Sequence, residues 1–243
     1  KITGYSLSDI RNLDQWFKVA FPDEEKRNEI YTDFKNKLAR GEHYNRVSEV
    51  KTKKGRNKFL EFRVNTLEND YLLVNLVDVS SKVEQKKEIE YLSYHDSLTD
   101  LYNRRYFEAE MERLNKSRRY PISIIIGDLD NLKLVNDNYG HLLGDNYLEK
   151  SAEILNNILR TEDIIARIGG DEFAVLLPET GREETALICE RIIEEFDRHN
   201  SANNYPVDFK ISLGFATAEI ETKKLNDIYN QADKNMYLNK GRN

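Results

Sequence analysis

Over residues 9–40, Trp16, Phe17, Val19 and Phe21, then Ile30, Phe34 and Leu38, recur at spacings that predict helix. Pro22 divides the stretch, because it has no backbone donor to carry a helix onward. Three alternating runs follow at 44–52, 58–65 and 71–79, with turns at Lys53-Lys54-Gly55 and Glu68-Asn69-Asp70. Helices followed by an antiparallel meander predict a small α+β domain over residues 1–80. Residues 80–96 contain no Gly or Pro and offer only Val83, Ile89 and Leu92 as a thin apolar stripe. They predict a charged helix, with 81–96 as the linker to a second domain, either a plain surface helix or a short coiled-coil stalk.

From residue 97 to 243 the pattern changes. Residues 121–127, with Ile122, Ile124, Ile125 and Ile126, predict a strand buried on both faces. A helix is predicted at 145–159, a hairpin from runs 164–168 and 173–177, a helix at 183–199 and a strand at 207–217. This β-α-β-β-α-β order is the ferredoxin-like split arrangement, and a last helix is predicted at 225–237. The whole chain is therefore α+β.

Composition changes the picture by exclusion. The 243 residues suffice for one large domain or two ordinary ones. A net charge of -6 argues against a nucleic-acid partner, which would require a basic face. A single cysteine, Cys189, excludes an intrachain disulfide and fits a reducing compartment. No stretch has the apolar length to span a bilayer, so the expectation is a cytoplasmic protein, membrane-tethered only if an upstream segment anchors it.

Candidate chemistry concentrates at Arg167-Ile168-Gly169-Gly170-Asp171-Glu172-Phe173. A Gly pair between two strands reads as a tight hairpin; glycine permits positive φ, and the lack of Cβ lets a phosphate come close. An exact five-residue string arises by chance in roughly one of ten thousand chains of this length. Asp128 and Asp130 end the first buried strand, and the fold predicted here lays that strand beside the one opened by Asp171 and Glu172. Converging carboxylates repel, and a divalent cation relieves them. Oxygen ligands beside a phosphate point to Mg²⁺ or Mn²⁺, not to zinc. Either pair alone reads as solvated acids at a strand end; both together favour a site.

Lys133-Leu134-Val135-Asn136-Asp137-Asn138-Tyr139-Gly140-His141-Leu142-Leu143-Gly144-Asp145 reads as a polar loop running into the next helix. An amide and a carboxylate there suit a guanine edge, and Lys133 suits a phosphoryl group. Alone, this signal is weak.

Together these residues resemble the GGDEF-domain diguanylate cyclases. The likeness runs from about Tyr94 to the C-terminus. It includes Asp96-Ser97-Leu98-Thr99-Asp100-Leu101-Tyr102-Asn103-Arg104-Arg105, Asp128-Leu129-Asp130, residues 136–141 and 169–173, Ser212-Leu213-Gly214 and Ala232-Asp233-Lys234. It implies a palm-like fold and condensation of two GTP into cyclic di-GMP, with two Mg²⁺ or Mn²⁺ per site and a homodimer for catalysis. By position it implies that Asp128, the Leu129 carbonyl and Asp171 hold metal. It assigns guanine to Asn136 and Asp145 with His141 nearby, and the α-phosphate to Lys133. Asp171 would help deprotonate the ribose hydroxyl, with Glu172 adding negative charge beside it. Gly169 and Gly170 would line the phosphates, and Lys240 and Arg242 would meet the terminal ones, although two residues of the family's usual spacing are missing before Arg242. Arg160 and Asp163 match the family's Arg-x-x-Asp inhibitory site for product, with Arg191 assisting. Position carries that match, since Arg11-Asn12-Leu13-Asp14 holds a second copy. Upstream, residues 4–10 and 77–80 resemble a PAS sensor domain lacking its first strands. The competing readings are an inactive GGDEF domain that only binds GTP or cyclic di-GMP, a mixed purine dinucleotide synthase, and a PAS-type interaction module.

Overall fold

Eight consecutive buried residues, Ile122–Leu129, form the strand around which the larger half of the chain is built. The structure is a computed structural model, described for residues 2–6, 8–67, 71–202, 205–220 and 224–240. It divides into two units, 1–89 and 90–243.

In the first unit, α1 (Leu13–Ala20) starts at Asn12, whose side chain accepts from the Gln15 N–H, and α2 (Glu24–Ala39) starts at Asp23, which caps Lys26 in the same way. Strands β1 (Tyr44–Lys51), β2 (Asn57–Thr66) and β3 (Leu72–Asp78) form an antiparallel sheet in that order. Phe17, Phe21, Phe34, Tyr44, Leu60 and Phe62 pack between helices and sheet. The meander expected from alternation is present. Its expected turn at 68–70 lies outside the described residues, as does Leu7 of the upstream PAS-like stretch. Helix α3 (Ser80–Tyr94) has no buried residue, as its charge-rich sequence requires.

The second unit carries β4 (Tyr102–Asn103), α4 (Arg104–Leu114), β5 (Ile122–Leu129), α5 (Leu132–Tyr139), α6 (His141–Ile158), β6 (Ile164–Arg167), β7 (Glu172–Pro178), α7 (Arg182–Ala202), β8 (Ile211–Ala218) and α8 (Leu225–Lys240). The sheet order is β4-β6-β7-β5-β8, with the pairs β6-β7, β7-β5 and β5-β8 antiparallel and β4 parallel to β6. Strand β5 lies inside the sheet between β7 and β8, and its two faces feed two cores. Ile125 and Leu129 pack with residues of α6 and α7, whereas Ile122, Ile124 and Ile126 pack with α4 and α8. The order β5-α-β6-β7-α7-β8 agrees with the ferredoxin-like expectation.

Four features depart from the sequence reading. Helix α4 and strand β4 were not anticipated. The segment 133–145, read as a loop, is instead helix, one reversing residue and helix. Gly140 makes the reversal at φ 86°, a backbone region costly to any residue with a Cβ. The last strand begins at Ile211 and not at 207.

Candidate active site

Strands β5 and β7 run side by side with Asp128 opposite Glu172, so Asp128 meets the Asp171-Glu172 pair from a separate part of the chain. Beyond the last paired residues, the Leu129 N–H donates to the Asp171 carbonyl at 2.9 Å, and the Asp130 N–H donates to the Lys210 carbonyl on the other side at 2.9 Å. A trans peptide points its C=O opposite to its N–H, so the Leu129 carbonyl turns toward β7 and the turn bearing Asp171.

Asp128 is 7% exposed. Burial pushes its carboxyl above the ordinary value; the charges of Asp171 and Asp130 add to this, and the hydrogen bond from Lys240 opposes it. Glu172 is raised as well, first by burial and then by the charges of Asp128, Asp171 and Asp233. The Lys240 ammonium, brought in by α8, lies directly on Asp128. Helix α8 can come this close because Gly214 has no side chain: a Cβ there would stand 1.9 Å from the Met236 nitrogen.

Asp130 does not turn into the acid cluster as its sequence position led us to expect. Its oxygens lie 2.9 and 3.1 Å from the Ser212 hydroxyl, which donates to them. Among the described residues, no three acidic, His or Cys side chains form a ready metal cage. Two carboxylates and an inward carbonyl remain. That donor set fits Mg²⁺, which keeps several waters and completes its shell with phosphate oxygens.

The Gly pair does not use the left-handed backbone that its residue type permits. Among the described residues, neither Gly169 nor Gly170 takes the left-handed backbone. The Ile168 and Gly169 N–H groups both donate to the Glu172 carbonyl, at 2.9 and 3.4 Å. A Cβ on Gly169 would meet the Glu172 Oε2 at 2.5 Å, whereas one on Gly170 would enter open space. The first glycine leaves room for the neighbouring carboxylate, and the second leaves bare backbone toward solvent.

Helices α5 and α6 pack tightly at their reversal. A Cβ on Gly144 would lie 2.0 Å from the Asn136 Oδ1, so the amide rests on the glycine, one residue from Asp145. Asn136 and Asp145 are half-buried, and Lys133 and His141 are exposed on the same helical pair. Arg242 lies outside the described residues.

Arg160 and Asp163 sit together between α6 and β6. The Arg160 N–H donates to the Asp163 carboxylate at 2.8 Å, and its guanidinium donates to Glu184 on α7 at 2.6 Å. Burial raises the Asp163 carboxyl. Both residues line a cavity of 350 Å³ with Asn156 and Tyr102. Arg191 lines a different one, of 450 Å³, with Asn157, Glu194 and Arg198.

Three contacts escaped sequence reading. Arg167 binds Asp96 and the Gly170 carbonyl together, and Ser212 binds Asp130. All five residues lie within motifs already singled out, but nothing in a sequence says which motif touches which.

The family model "Diguanylate cyclase, GGDEF domain" matches residues 93–243. The chain is 37% identical over 164 residues to diguanylate cyclase DgcS of Shewanella oneidensis, covering 65% of this chain and 54% of that protein. It is 35% identical over 158 residues to the probable diguanylate cyclase DgcT of Escherichia coli K12, covering 63% and 35%. It thus spans about half of one relative's length and a third of the other's. Among solved structures it resembles the coiled coil and GGDEF domain of DgcB from Caulobacter crescentus in complex with c-di-GMP, at 25% identity and a TM-score of 0.61 over 67% of this chain and 88% of that one. The isolated GGDEF domain of the same DgcB, also with c-di-GMP, matches at 27% identity and a TM-score of 0.56 over 60% and 90%.

Proposed function

This chain belongs to the GGDEF-domain family of diguanylate cyclases, and from that membership we propose that its larger unit condenses two GTP into cyclic di-GMP and two pyrophosphates. The observation that carries the proposal is the register of β5 on β7, which faces Asp128 with Glu172 and sets Asp171 beside Leu129.

In this reading Asp128, Asp171 and the Leu129 carbonyl hold Mg²⁺ or Mn²⁺, two ions per site. The metal supplies charge that steadies the triphosphate and the leaving pyrophosphate. Asn136 and Asp145 read the guanine edge: the amide donates to O6, and the carboxylate accepts from N1–H and the exocyclic amine. Asp145 argues for GTP over ATP. His141 stands near the base. Lys133 faces the α-phosphate, Gly170 lets phosphate approach its backbone, and Lys240 leaves Asp128 for the terminal phosphates, with Arg242 assisting. The 3′-hydroxyl of one GTP attacks the α-phosphorus of the other, and each new ester bond releases one pyrophosphate. Asp171 helps remove the hydroxyl proton, and Glu172 adds negative charge beside it.

One such domain holds one GTP, so ring closure calls for two domains face to face in a homodimer. Regulation by a PAS-like first unit through α3 belongs to the same proposal, as does a cytoplasmic location. Among the described residues, no helix is long and apolar enough to cross a membrane. Cyclic di-GMP would inhibit by binding Arg160 and Asp163, with Arg191 contributing from its own groove. Arg160→Ala should relieve inhibition by added cyclic di-GMP, and unchanged inhibition removes that part of the proposal.

One observation favours a rival reading, a GGDEF domain that binds nucleotide without turnover: Lys240 occupies a carboxylate oxygen of Asp128. Product analysis after incubation with GTP and Mg²⁺ separates the two. Cyclic di-GMP from the wild type and none from Asp171→Ala supports the cyclase; GTP binding without product supports the rival.

A further inference from the structure

Asp130 ends the strand that carries Asp128 and Leu129, and it begins the joint to the helix that carries Lys133 and Asn136. That joint is otherwise poorly anchored. Asn131, the cap of α5, adopts a left-handed backbone at φ 62° and ψ 11°, and its side chain makes no capping hydrogen bond. Only a few residue types, Asn among them, take this conformation readily. The tie to the sheet comes instead from Asp130. Its N–H donates to the Lys210 carbonyl at 2.9 Å, and its carboxylate receives the Ser212 hydroxyl at 2.9 and 3.1 Å. Ser212 is 2% exposed and pairs in register with Asp128 itself. One buried hydroxyl therefore spans the strand position of a proposed metal ligand and the start of the nucleotide-facing helix.

We infer that Asp130 and Ser212 form a positioning pair that fixes the Leu129 carbonyl and the first turn of α5 for a metal-bound nucleotide, neither side chain being a ligand itself. The inference rests on the proposed nucleotide site. The physical route is short. The Leu129–Asp130 peptide is a rigid plane, so holding Asp130 by both its N–H and its carboxylate sets the direction of the Leu129 carbonyl. Release of the carboxylate frees that plane to rotate about ψ of Leu129 and φ of Asp130. Groups that orient metal ligands from behind typically affect metal affinity or activity by about 10–100-fold.

The test uses the full chain and Mn²⁺ binding, followed by electron paramagnetic resonance with α,β-methylene-GTP present. Turnover of GTP is measured in parallel. Ser212→Ala should weaken Mn²⁺ binding by about 10-fold or more and lower kcat more than it raises KM, because Asn136 and Asp145 are untouched. Ser212→Thr, which keeps the hydroxyl, should restore most of both. Asp130→Ala should match Ser212→Ala, and the double variant should lose little more. Wild-type Mn²⁺ affinity in a folded Ser212→Ala overturns the inference. So does a loss in Asp130→Ala that Ser212→Ala does not share, since Asp130 would then be a ligand. Should the buried Ser212→Ala fail to fold, the half-exposed Asp130 decides: Asp130→Asn keeps an acceptor for the hydroxyl and should rescue most of the loss seen in Asp130→Ala, and an Asn variant as poor as Ala refutes the pair. A wild type that forms no product from GTP, yet loses Mn²⁺ affinity on Ser212→Ala, removes the cyclase reading and leaves this one. An active wild type with unaffected variants does the reverse, and a wild type that takes up no Mn²⁺ removes both.

Discussion

The Lys240 ammonium rests on the Asp128 carboxylate, so a cation is already in place where the acid cluster calls for one. Burial alone would lower the Lys240 pKa, but the hydrogen bond to Asp128 and the charges of Asp171 and Asp130 raise it above the ordinary lysine value. A divalent ion would compete with this ammonium for the same oxygen. Lys240→Met should therefore bind Mn²⁺ a few-fold more tightly without nucleotide, on the order of the modest value of a partly exposed ion pair. It should also raise the KM for GTP, if the ammonium moves to the terminal phosphates. Titration with and without the analogue reads both effects. Weaker metal binding in Lys240→Met would contradict the competition.

The two glycines of the turn should separate in their effects. Gly169→Ala drives a Cβ to 2.5 Å from the Glu172 carboxylate, which must swing aside, whereas Gly170→Ala meets nothing. Gly170→Ala should leave the melting temperature nearly unchanged, and any loss in GTP affinity then reports a phosphate at the bare backbone. Unaltered GTP affinity in that variant would show that no phosphate comes within reach of the turn.

Most of the second unit was legible in the sequence because β5 carries four isoleucines among its eight buried positions. Ile122, Ile124, Ile125 and Ile126 give a run that only a strand covered on both faces can absorb. Convergence of the acids followed from the fold order alone. The α5–α6 reversal was not legible. Leu132 and Val135 are the only buried residues of α5, and Asn, Asp and Gly around them favour turns when taken singly. What makes the segment helical is packing against α6, through the contact of Asn136 with Gly144, which sequence spacing does not display. Helix α4 had a signal that went unused: Phe107, Met111 and Leu114 recur at helical spacing. Asp130 was misplaced because its partner Ser212 lies 82 residues away.

The Asn136–Gly144 contact yields a specificity test. Gly144→Ala places a Cβ 2.0 Å from the Asn136 Oδ1, and the amide must rotate away while the backbone of both helices stays in place. If Asn136 reads guanine, the loss should be about 1–3 kcal/mol of discrimination between GTP and ATP. Competition of ATP against GTP in product formation measures it. Discrimination equal to wild type would remove Asn136 from the guanine-reading role.

Glu172 gives a pH prediction with a definite sign. Its folded value lies above the ordinary 4.5, through burial first and the charges of Asp128 and Asp171 next. The folded chain therefore holds this proton more tightly than the unfolded chain. The stability this contributes is complete below about pH 4.5 and is lost as pH rises through the raised value. Glu172→Gln removes that dependence. The variant should gain stability relative to wild type on going from about pH 4 to about pH 7.5, and added Mg²⁺ should narrow the gap. A constant difference across that range would mean that Glu172 does not feel its acidic neighbours.

Arg167 joins the signature turn to the segment that follows α3. Its Nη1 donates to the Asp96 carboxylate at 3.0 and 3.3 Å, while Nε and Nη2 donate to the Gly170 carbonyl at 3.2 and 2.8 Å. Asp96 also accepts from the Thr99 N–H and hydroxyl, which closes the turn after the helix. Burial works against the charge on Asp96, but Thr99 and Arg167 together hold its carboxyl below the ordinary value. The two side chains are 15% and 23% exposed, so loss of the arginine strands a largely enclosed carboxylate and a carbonyl. Arg167→Ala should cost about 2 kcal/mol, the scale of hydrogen bonds to charged groups. Arg167→Lys should recover little, since one ammonium cannot serve both partners in a fork. The cost should shrink as pH falls below the ordinary Asp value of 3.8 and Asp96 takes up its proton. Because the Gly170 carbonyl belongs to the peptide that leads into Asp171, the same variant should lower kcat with Asp171 itself intact. Chemical denaturation at two pH values, with turnover measured on the same preparations, decides it: a variant as stable and as active as wild type would show that the turn holds its shape without the clamp.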